Sequence, residues 1–241
     1  MQIFSKMDIG MVRSSNQDAY FTGEISDGSV FAVVCDGMGG ANAGNIASET
    51  AVKVISEYVV KSYRTSMKNE DIEKMLNNAI LSANIEIYDL SMKNESLAGM
   101  GTTAVVALVR DGVAVIAHVG DSRAYLVGDE LTQLTRDHSV VQSLLESGKL
   151  TPNEAKVHPK KNVITRALGA EENVIADSDI IEIKSGETLL ICTDGLSNFA
   201  EPSEILDIFK NNKIEEVAEL LVSAANKNGG GDNIAVVTIT G

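Results

Sequence analysis

Residues 33–40 read VVCDGMGG, in which an apolar run is interrupted by one carboxylate and then by three glycines within four positions. The apolar run predicts a buried strand, and the Asp-Gly step predicts that this strand ends in a tight turn. Backbone without Cβ atoms also lets a phosphate with its metal ion come close to the main chain. For this stretch taken alone, a strand followed by a turn is the simpler interpretation.

The same arrangement of a strand-like run beside an aspartate recurs at three further places in the chain. They are Val119-Gly120-Asp121-Ser122, Cys192-Thr193-Asp194-Gly195 and Gly230-Gly231-Asp232-Asn233. In the last of them the strand-like run follows the aspartate instead of preceding it. Together with Asp36, these aspartates at strand ends predict one shared site.

The composition is that of a globular protein, since 44% of the 241 residues are hydrophobic, although only 4% are aromatic. The net charge of −14 argues against partners such as nucleic acid and anionic membranes. Residues 1–10 lack a signal-peptide pattern, and no apolar run approaches the ~18 residues of a spanning helix. We therefore expect a cytoplasmic protein, most simply a monomer. Cys35 and Cys192 lie in apolar runs and are expected to be buried free thiols.

Hydrophobic periodicity predicts two long amphipathic helices in succession. One is expected over about 43–61, with Ile46, Thr50, Val54 and Ile55 on one face, and the other begins at Asp71. β-Branched runs between 102 and 134, separated by turn residues, predict an antiparallel meander. Helices and strands alternate in blocks instead of regular βαβ units, which indicates packed antiparallel sheets with helices outside.

A locally basic insert is expected within this acidic chain. Between 149 and 166 the ionised residues are basic except for Glu154, and they include Lys160 and Lys161. A solvated loop and a flap that meets an anionic substrate explain this stretch equally well.

A cluster of carboxylates is typical of a hard-cation site. Oxygen ligands favour Mg²⁺ or Mn²⁺ over zinc or copper, and two such ions sharing one aspartate can activate water for in-line attack on phosphorus. Asp36 is the natural shared ligand, and Gly37 can add its carbonyl because it has no side chain. Arg13, in the polar segment before a short strand-like stretch, can bind two phosphate oxygens at once.

Seven motifs occur in the order found in the metal-dependent protein phosphatases of the protein phosphatase 2C type (the PPM family), in their compact bacterial form. The chain resembles this family over nearly its whole length. The motifs are Arg13 with Asn16-Gln17-Asp18, Asp36-Gly37-Met38-Gly39-Gly40, Gly101-Thr102-Thr103, Gly120-Asp121-Ser122-Arg123, Asp137-His138-Ser139, Cys192-Thr193-Asp194-Gly195 and Gly231-Asp232-Asn233.

The resemblance implies an α+β fold, a four-layer αββα sandwich of two antiparallel sheets between pairs of helices. It also implies one domain over 1–241, with a flap at about 139–169. Two central Mn²⁺ or Mg²⁺ ions, and a third that binds more weakly, are expected as cofactors.

The resemblance further implies a role for each matched residue. Arg13 is expected to bind the phosphate of the substrate, and Asp18 to contact the metals directly or through water. Asn233 is expected to contact the metal ligands without binding a metal ion itself. The expected ligands are Asp36, Gly37, Asp194 and Asp232 for the central ions, with Asp121 for the third.

The implied activity is hydrolysis of phosphoserine and phosphothreonine in proteins by direct in-line attack, without a phosphoenzyme. The expected partners are phosphoproteins and a bacterial serine/threonine kinase whose action the enzyme reverses. Two positions depart from other members, since some carry glutamate where this chain has Gln17, and animal members carry a proposed acid, histidine, at Met38. Of the three histidines, His138 is the best alternative proton donor, although a structural role is the simpler interpretation.

Two other functions compete with this one. An aspartyl-phosphate phosphatase needs a second carboxylate two residues after the first, and this chain has Met38 there. A non-catalytic relative that only binds phosphoproteins as a regulatory module remains open, although such a protein is expected to have lost metal ligands.

Overall fold

Eleven strands form two antiparallel sheets in this computed structural model, which describes residues 1–25 and 27–241. Numbered along the chain, they are β1 (Gln2–Asp8), β2 (Asp18–Glu24), β3 (Val30–Met38), β4 (Gly101–Thr102), β5 (Ala104–Arg110), β6 (Val113–Val119), β7 (Arg123–Val127), β8 (Leu131–Gln133), β9 (Asp177–Glu182), β10 (Thr188–Cys192) and β11 (Ile234–Thr240). One sheet has the order β1-β11-β10-β7-β8, and the other has the order β2-β3-β5-β6-β9 with β4 beside β3.

Helices cover both outer faces of the pair of sheets. The helices are α1 (Gly40–Ser62), α2 (Asn69–Lys93), α3 (Val140–Glu146), α4 (Pro152–Lys156), α5 (Asp194–Ser197), α6 (Pro202–Asn211) and α7 (Ile214–Lys227). Among the residues that the structure describes, none of these helices is both long enough and apolar enough to cross a bilayer.

Alternate residues of β3 show why the apolar run is continuous. Phe31 and Val33 belong to the core under α1 and α2, whereas Ala32 and Val34 belong to the core between the two sheets. A strand whose two faces are both buried needs apolar side chains at every position. A third core lies between the other sheet and α6 and α7, so the predicted four-layer sandwich is confirmed.

The first long helix buries only part of the face predicted for it. Ile55 is buried as expected, but Ile46, Thr50 and Val54 are only half-buried. The small residues Ala43, Ala47 and Ala51 are buried against the sheet instead. Small side chains let the helix axis approach the sheet closely, so the contact surface is not the most hydrophobic stripe of the sequence. The second helix buries its predicted stripe but begins at Asn69, two residues before Asp71.

The predicted end of β3 is wrong. The strand continues through Asp36 to Met38, because β4 pairs with it there, matching Gly37 with Thr102. On the other side of β3, Asp36 is directly opposite Asp18 of β2. Two carboxylates are therefore cross-strand neighbours within a sheet, instead of lying in a turn.

The predicted meander is also wrong as a single unit. The hairpin of β5 and β6 forms as expected, with Asp111 and Gly112 at φ values of 52° and 74°. After β6, however, the chain crosses to the other sheet, where β7 pairs with β8 and β10. Asp121 lies in this crossing between the sheets, which brings it to the same end of the sandwich as Asp36.

Candidate metal centre

A cavity of about 250 Å³ lies at one end of the sandwich. Seven of the eight predicted site residues line it, namely Arg13, Asp36, Gly37, Asp121, Asp194, Asp232 and Asn233. The eighth, Asp18, is only 5% exposed and pairs with Asp36 across β2 and β3. The fold therefore brings residues from five distant segments together.

Backbone and hydroxyl groups of the motif at 101–103 hold Asp36 in place. The Asp36 N–H donates to Thr103 Oγ1 at 2.9 Å, and the Asp36 carbonyl accepts from Thr102 Oγ1 at 2.8 Å. The Thr103 N–H also donates to this carbonyl, at 2.9 Å. The sequence analysis gave these threonines no role, although they stand in one of the seven motifs.

Gly37 is required by close packing. A Cβ at this position would lie 2.1 Å from the carbonyl oxygen of Gly44 and 2.6 Å from that of Gln17. The Gly37 N–H donates to the same Gln17 oxygen at 3.0 Å. The sequence-based reason for this glycine, an unobstructed carbonyl, is therefore incomplete, because α1 and the segment before β2 also leave no space for a side chain.

Two buried carboxylate oxygens test whether a cation fits here. Asp18 Oδ2 accepts from Thr193 Oγ1 at 2.8 Å, and Asp194 Oδ2 accepts from Asn198 Nδ2 at 2.9 Å. The Oδ1 atom of each carboxylate is buried without a hydrogen-bond partner among the described residues. Buried acceptors are normally paired, and oxygen ligands are those that Mg²⁺ and Mn²⁺ take, so the donor set fits such an ion.

The charges of the aspartates also favour a cation. Burial and the nearby carboxylates raise the pKa of Asp194 to about 6 and the pKa of Asp121 to about 7. Burial, reinforced by Asp18 and Asp194, raises the pKa of Asp36 well above its ordinary value. Carboxylates that repel one another in a buried site gain stability when a divalent cation binds to their ionised forms.

Arg13 lies at the rim of this cavity on a segment that Asn233 holds. Its Nη2 donates to Asp232 Oδ2 at 2.8 Å, while half of its side chain remains exposed. The Asn233 amide donates to the carbonyls of Ile9 and Ser15 at 2.9 and 3.0 Å. Its Oδ1 accepts from the N–H of Gln17 at 2.8 Å. Asn233 thus fixes both ends of the segment that carries Arg13.

His138 supports the turn that carries Asp121. Its Nδ1 accepts from the N–H of Gly120 at 3.1 Å, and its carbonyl accepts from the N–H of Thr165 at 2.7 Å. His138 is only 3% exposed. This geometry favours the structural role over the role of proton donor.

His118, His138 and Asp177 form a second group of potential metal ligands, with ligand atoms within 4.8 Å of one another. Their hydrogen bonds already use these atoms, since Nδ1 of His138 accepts from Gly120 and its Nε2 lies 3.2 Å from Asp177 Oδ2. The guanidinium of Arg166 also donates to Asp177 Oδ1 at 2.7 Å. The group is therefore a hydrogen-bonded support beside Asp121, and the aspartate cavity is the better metal centre.

An α+β sandwich with a carboxylate-lined cavity at one end defines a class of metal-dependent hydrolases of phosphate esters. The family model described as protein phosphatase 2C matches residues 12–233. The serine/threonine phosphatase stp of Listeria monocytogenes is 39% identical over 236 residues, 97% of this chain and 93% of that protein. The chain belongs to the protein phosphatase 2C family, so the family predicted from the motifs is confirmed.

Solved structures agree with this assignment. The serine/threonine phosphatase Stp1 from Staphylococcus aureus has a TM-score of 0.94 at 33% identity, covering 100% of this chain and 95% of that one. The catalytic domain of the serine/threonine protein phosphatase PstP, solved with 2 manganese ions, has a TM-score of 0.84 at 30% identity, covering 98% and 96%. The fold and the enzyme class predicted from the sequence are thus confirmed, and the family is one whose members bind metal ions.

Proposed function

We propose that this enzyme, a protein serine/threonine phosphatase, binds two central Mn²⁺ or Mg²⁺ ions through Asp36, Gly37, Asp194 and Asp232. Asp121 is proposed as a ligand of a third ion. One observation carries the proposal: carboxylates from separate segments of the chain line one cavity, and a buried oxygen of Asp194 lacks any hydrogen-bond donor among the described residues. When bound, such ions neutralise the carboxylates and activate water for attack on phosphorus.

The protein side chains bind and orient the phosphate. Arg13 has a half-exposed guanidinium, and Asp232 and the hydrogen bonds of Asn233 hold its segment. A guanidinium in this position can donate to two phosphate oxygens and neutralise the charge that develops on them. Asp36 lies inside β3 with its backbone held by the threonines of 101–103, so its carboxylate needs little rearrangement during turnover.

The proton for the leaving alkoxide comes from water in this account. Met38 lines the cavity but has no proton to donate, and His138 is buried behind the turn of Asp121. Met38 also lacks a carboxylate, so the residue two positions after Asp36 offers no partner for a phosphoenzyme route. Direct hydrolysis is therefore the reaction that these residues support best.

Phosphoproteins are the substrates that this family implies, and relatives carry the name serine/threonine phosphatase. We propose that the enzyme acts on phosphoserine and phosphothreonine, including those of a cognate bacterial serine/threonine kinase. The monomeric state, the cytoplasmic location and the lack of a nucleic-acid or membrane partner stay predictions from the sequence.

Hydrolysis of a phosphothreonine peptide tests this function. We expect turnover with Mn²⁺, loss of turnover with a chelator and recovery when Mn²⁺ is restored. Folded protein that binds the phosphopeptide without hydrolysing it under any of these conditions would support the regulatory-module alternative instead. Release of phosphate through a covalent phosphoenzyme, trapped by rapid acid quench, would contradict direct hydrolysis.

A further inference from the structure

A second cavity, of about 380 Å³, adjoins the metal centre on the side of Met38. Its walls include Met38, Ile164, Arg166, Ala170, Val174 and Ile175. Met38 and Ile164 also line the metal-centre cavity, so these two side chains form a shared wall. We call this second cavity the flanking pocket. Its volume falls within the range of about 300–1,000 Å³ that is typical of ligand pockets.

Six of the ten residues that line the flanking pocket are apolar. A Cβ placed on Gly101 would lie 2.9 Å from Met38 Cε and 3.7 Å from Ala167 Cβ, so the Met38 side chain lies over Gly101. Ile175, which also lines the pocket, is 77% exposed. Covering an exposed aliphatic side chain beside a candidate active site with an apolar group lowers the free energy of the complex.

Two charged residues, Arg166 and Glu171, line the flanking pocket, and Arg166 is already paired. Arg166 Nη1 donates to Asp177 Oδ1 at 2.7 Å and to the Ile175 carbonyl at 3.3 Å. The ion pair balances the charge of the guanidinium, and the second bond ties the segment of Ile175 to the base of the flap. An acidic side chain therefore gains less from this pocket than an unpaired arginine would offer, and it meets the like charge of Glu171. A basic side chain meets the like charge of Arg166, and its attraction to Glu171 is weakened by solvent because Glu171 is exposed.

We propose that the flanking pocket is a specificity subsite that takes an apolar side chain next to the phosphoserine or phosphothreonine of a protein substrate. The inference rests on the proposed function, because the phosphoryl group must occupy the metal centre for a neighbouring residue to reach across Met38. A polypeptide bound at the metal-centre cavity can contact the flanking pocket directly, since the two cavities share a wall.

Phosphothreonine peptides that differ at one position test this subsite. The probes carry Leu, Ala, Glu or Lys in turn at each of the two positions before and after the phosphothreonine. For the wild-type enzyme we expect Leu to raise kcat/KM about 10-fold over Ala at one of these positions, since each buried methylene contributes to discrimination. Glu and Lys are expected to be no better than Ala there.

Two variants locate that preference in the flanking pocket. Ala170→Trp places a ring in the cavity from an exposed position, and we expect the Leu-to-Ala ratio to fall to about 2-fold or less. Ile175→Ala, which removes an exposed side chain, is expected to reduce the ratio partially. Ser185→Trp, an exposed position between β9 and β10 at the opposite end of the sandwich, is the matched control and should retain it.

Hydrolysis of p-nitrophenyl phosphate with Mn²⁺ distinguishes failure of the subsite from failure of the proposed phosphatase function. This small substrate has no flanking residue, so its kcat/KM should stay unchanged in Ala170→Trp and Ile175→Ala. The subsite is overturned by a wild type that shows no apolar preference or prefers Glu. It is also overturned by a preference that persists in both variants or disappears in Ser185→Trp. Loss of hydrolysis of every phosphopeptide by the wild type would instead contradict the proposed function.

Discussion

The end of the sheets that carries the aspartates and the flap at 139–169 are built in different ways. Asp36 lies within β3, with a strand on each side and hydrogen bonds from Thr102 and Thr103. The two flap helices have side chains that are mostly half-buried or exposed, and Ala155 is the buried residue of α4. The first region is therefore held by the core, whereas the second has little core of its own.

One ion pair between the flap and the rest of the protein is weak. Lys156 Nζ donates to both carboxylate oxygens of Glu201 at 2.8 Å, but both side chains are more than half exposed. Exposed ion pairs contribute only about 0–1 kcal/mol, so this contact is easily broken. This difference supports the proposal that the sheet end performs the chemistry on every substrate, whereas the flap contributes to the selection of protein substrates.

Replacing Arg13 should give the largest effect of the variants that probe this division. We expect Arg13→Ala to lower kcat/KM about 100-fold for p-nitrophenyl phosphate and for phosphopeptides alike, since hydrogen bonds to charged groups contribute about 1.5–3 kcal/mol each. Arg13→Lys should recover only part of this activity, because lysine lacks the fork that binds two oxygens. Arg64→Ala, on an exposed arginine after α1, is the control. Full activity of Arg13→Ala on both substrates would show that Arg13 does not bind the phosphate of the substrate.

Replacing Asp121 should give an intermediate effect, measured by thermal unfolding without metal. The folded-state pKa of Asp121, about 7, lies above the ordinary value of 3.8, so its contribution to stability is present below pH 3.8 and lost as the pH rises to 7. Asp121→Asn cannot ionise at this position, so its stability does not fall in this way as the pH rises. Its melting temperature minus that of the wild type should therefore rise between pH 5 and 8, by on the order of 5 °C.

Added Mn²⁺ should reverse the difference in melting temperature between Asp121→Asn and the wild type, because Mn²⁺ stabilises the ionised carboxylates of the wild type most at high pH. We expect the stabilisation of the wild type by Mn²⁺ to grow from pH 5 to 8 and to exceed that of Asp121→Asn. A difference in melting temperature that stays flat with pH would show that burial and the neighbouring carboxylates do not raise the pKa of Asp121 in the folded protein.

Reversing the charge of Lys160 and Lys161 should give the smallest effect and should act on protein substrates alone. Both residues are exposed, and Lys161 also lines a cavity that reaches Asp121 and Asp194. We expect the double change to Glu to raise KM for a phosphoprotein about 3-fold, with a weaker effect at high salt, and to leave p-nitrophenyl phosphate unchanged. Equal effects on both substrates would leave the flap without a role in recognition.

The control for this prediction is an equal change of charge on the helix layer, Lys53→Glu with Lys74→Glu, at two exposed lysines of α1 and α2. This variant has the same net charge as the flap variant. A rise in KM for the phosphoprotein in the control as well would assign the effect to overall charge instead of to the flap.

The sequence predicted the sheet end better than the flap, for a physical reason. The apolar runs before Asp36 and Asp194 must be buried on both faces, so their pattern predicts β3 and β10. Whether a strand continues past an aspartate depends on a partner, and β4, the partner of β3, is only two residues long. No local pattern shows that β6 and β7 belong to different sheets. The domain boundaries of 1–241 and the flap limits of 139–169 stay predictions.

Prediction of the candidate site from the sequence was likewise limited by contacts between residues that are far apart in the chain. The motifs supplied Arg13, Asp36 and the other aspartates, because their residue types are those that bind phosphate and metal. The supporting residues were harder to foresee, since the role of Thr103 or Thr193 depends on a hydrogen bond to a residue far away in the sequence. The flanking pocket has no signal in the sequence, because its walls come from β3 and from the segments on either side of Gly169.

Titration of Mn²⁺ into the wild type and into Asp36→Asn, followed by calorimetry and by hydrolysis of p-nitrophenyl phosphate, tests the central claim most directly. Asp207→Asn, an exposed aspartate of α6, is the matched control. We expect two central ions to bind to the wild type and to the control. Asp36→Asn should remain folded, lose tight binding of both ions and lose activity by more than about 100-fold, beyond the effect typical of an outer partner of a metal ligand. Unchanged Mn²⁺ stoichiometry, affinity and activity in Asp36→Asn would contradict the account.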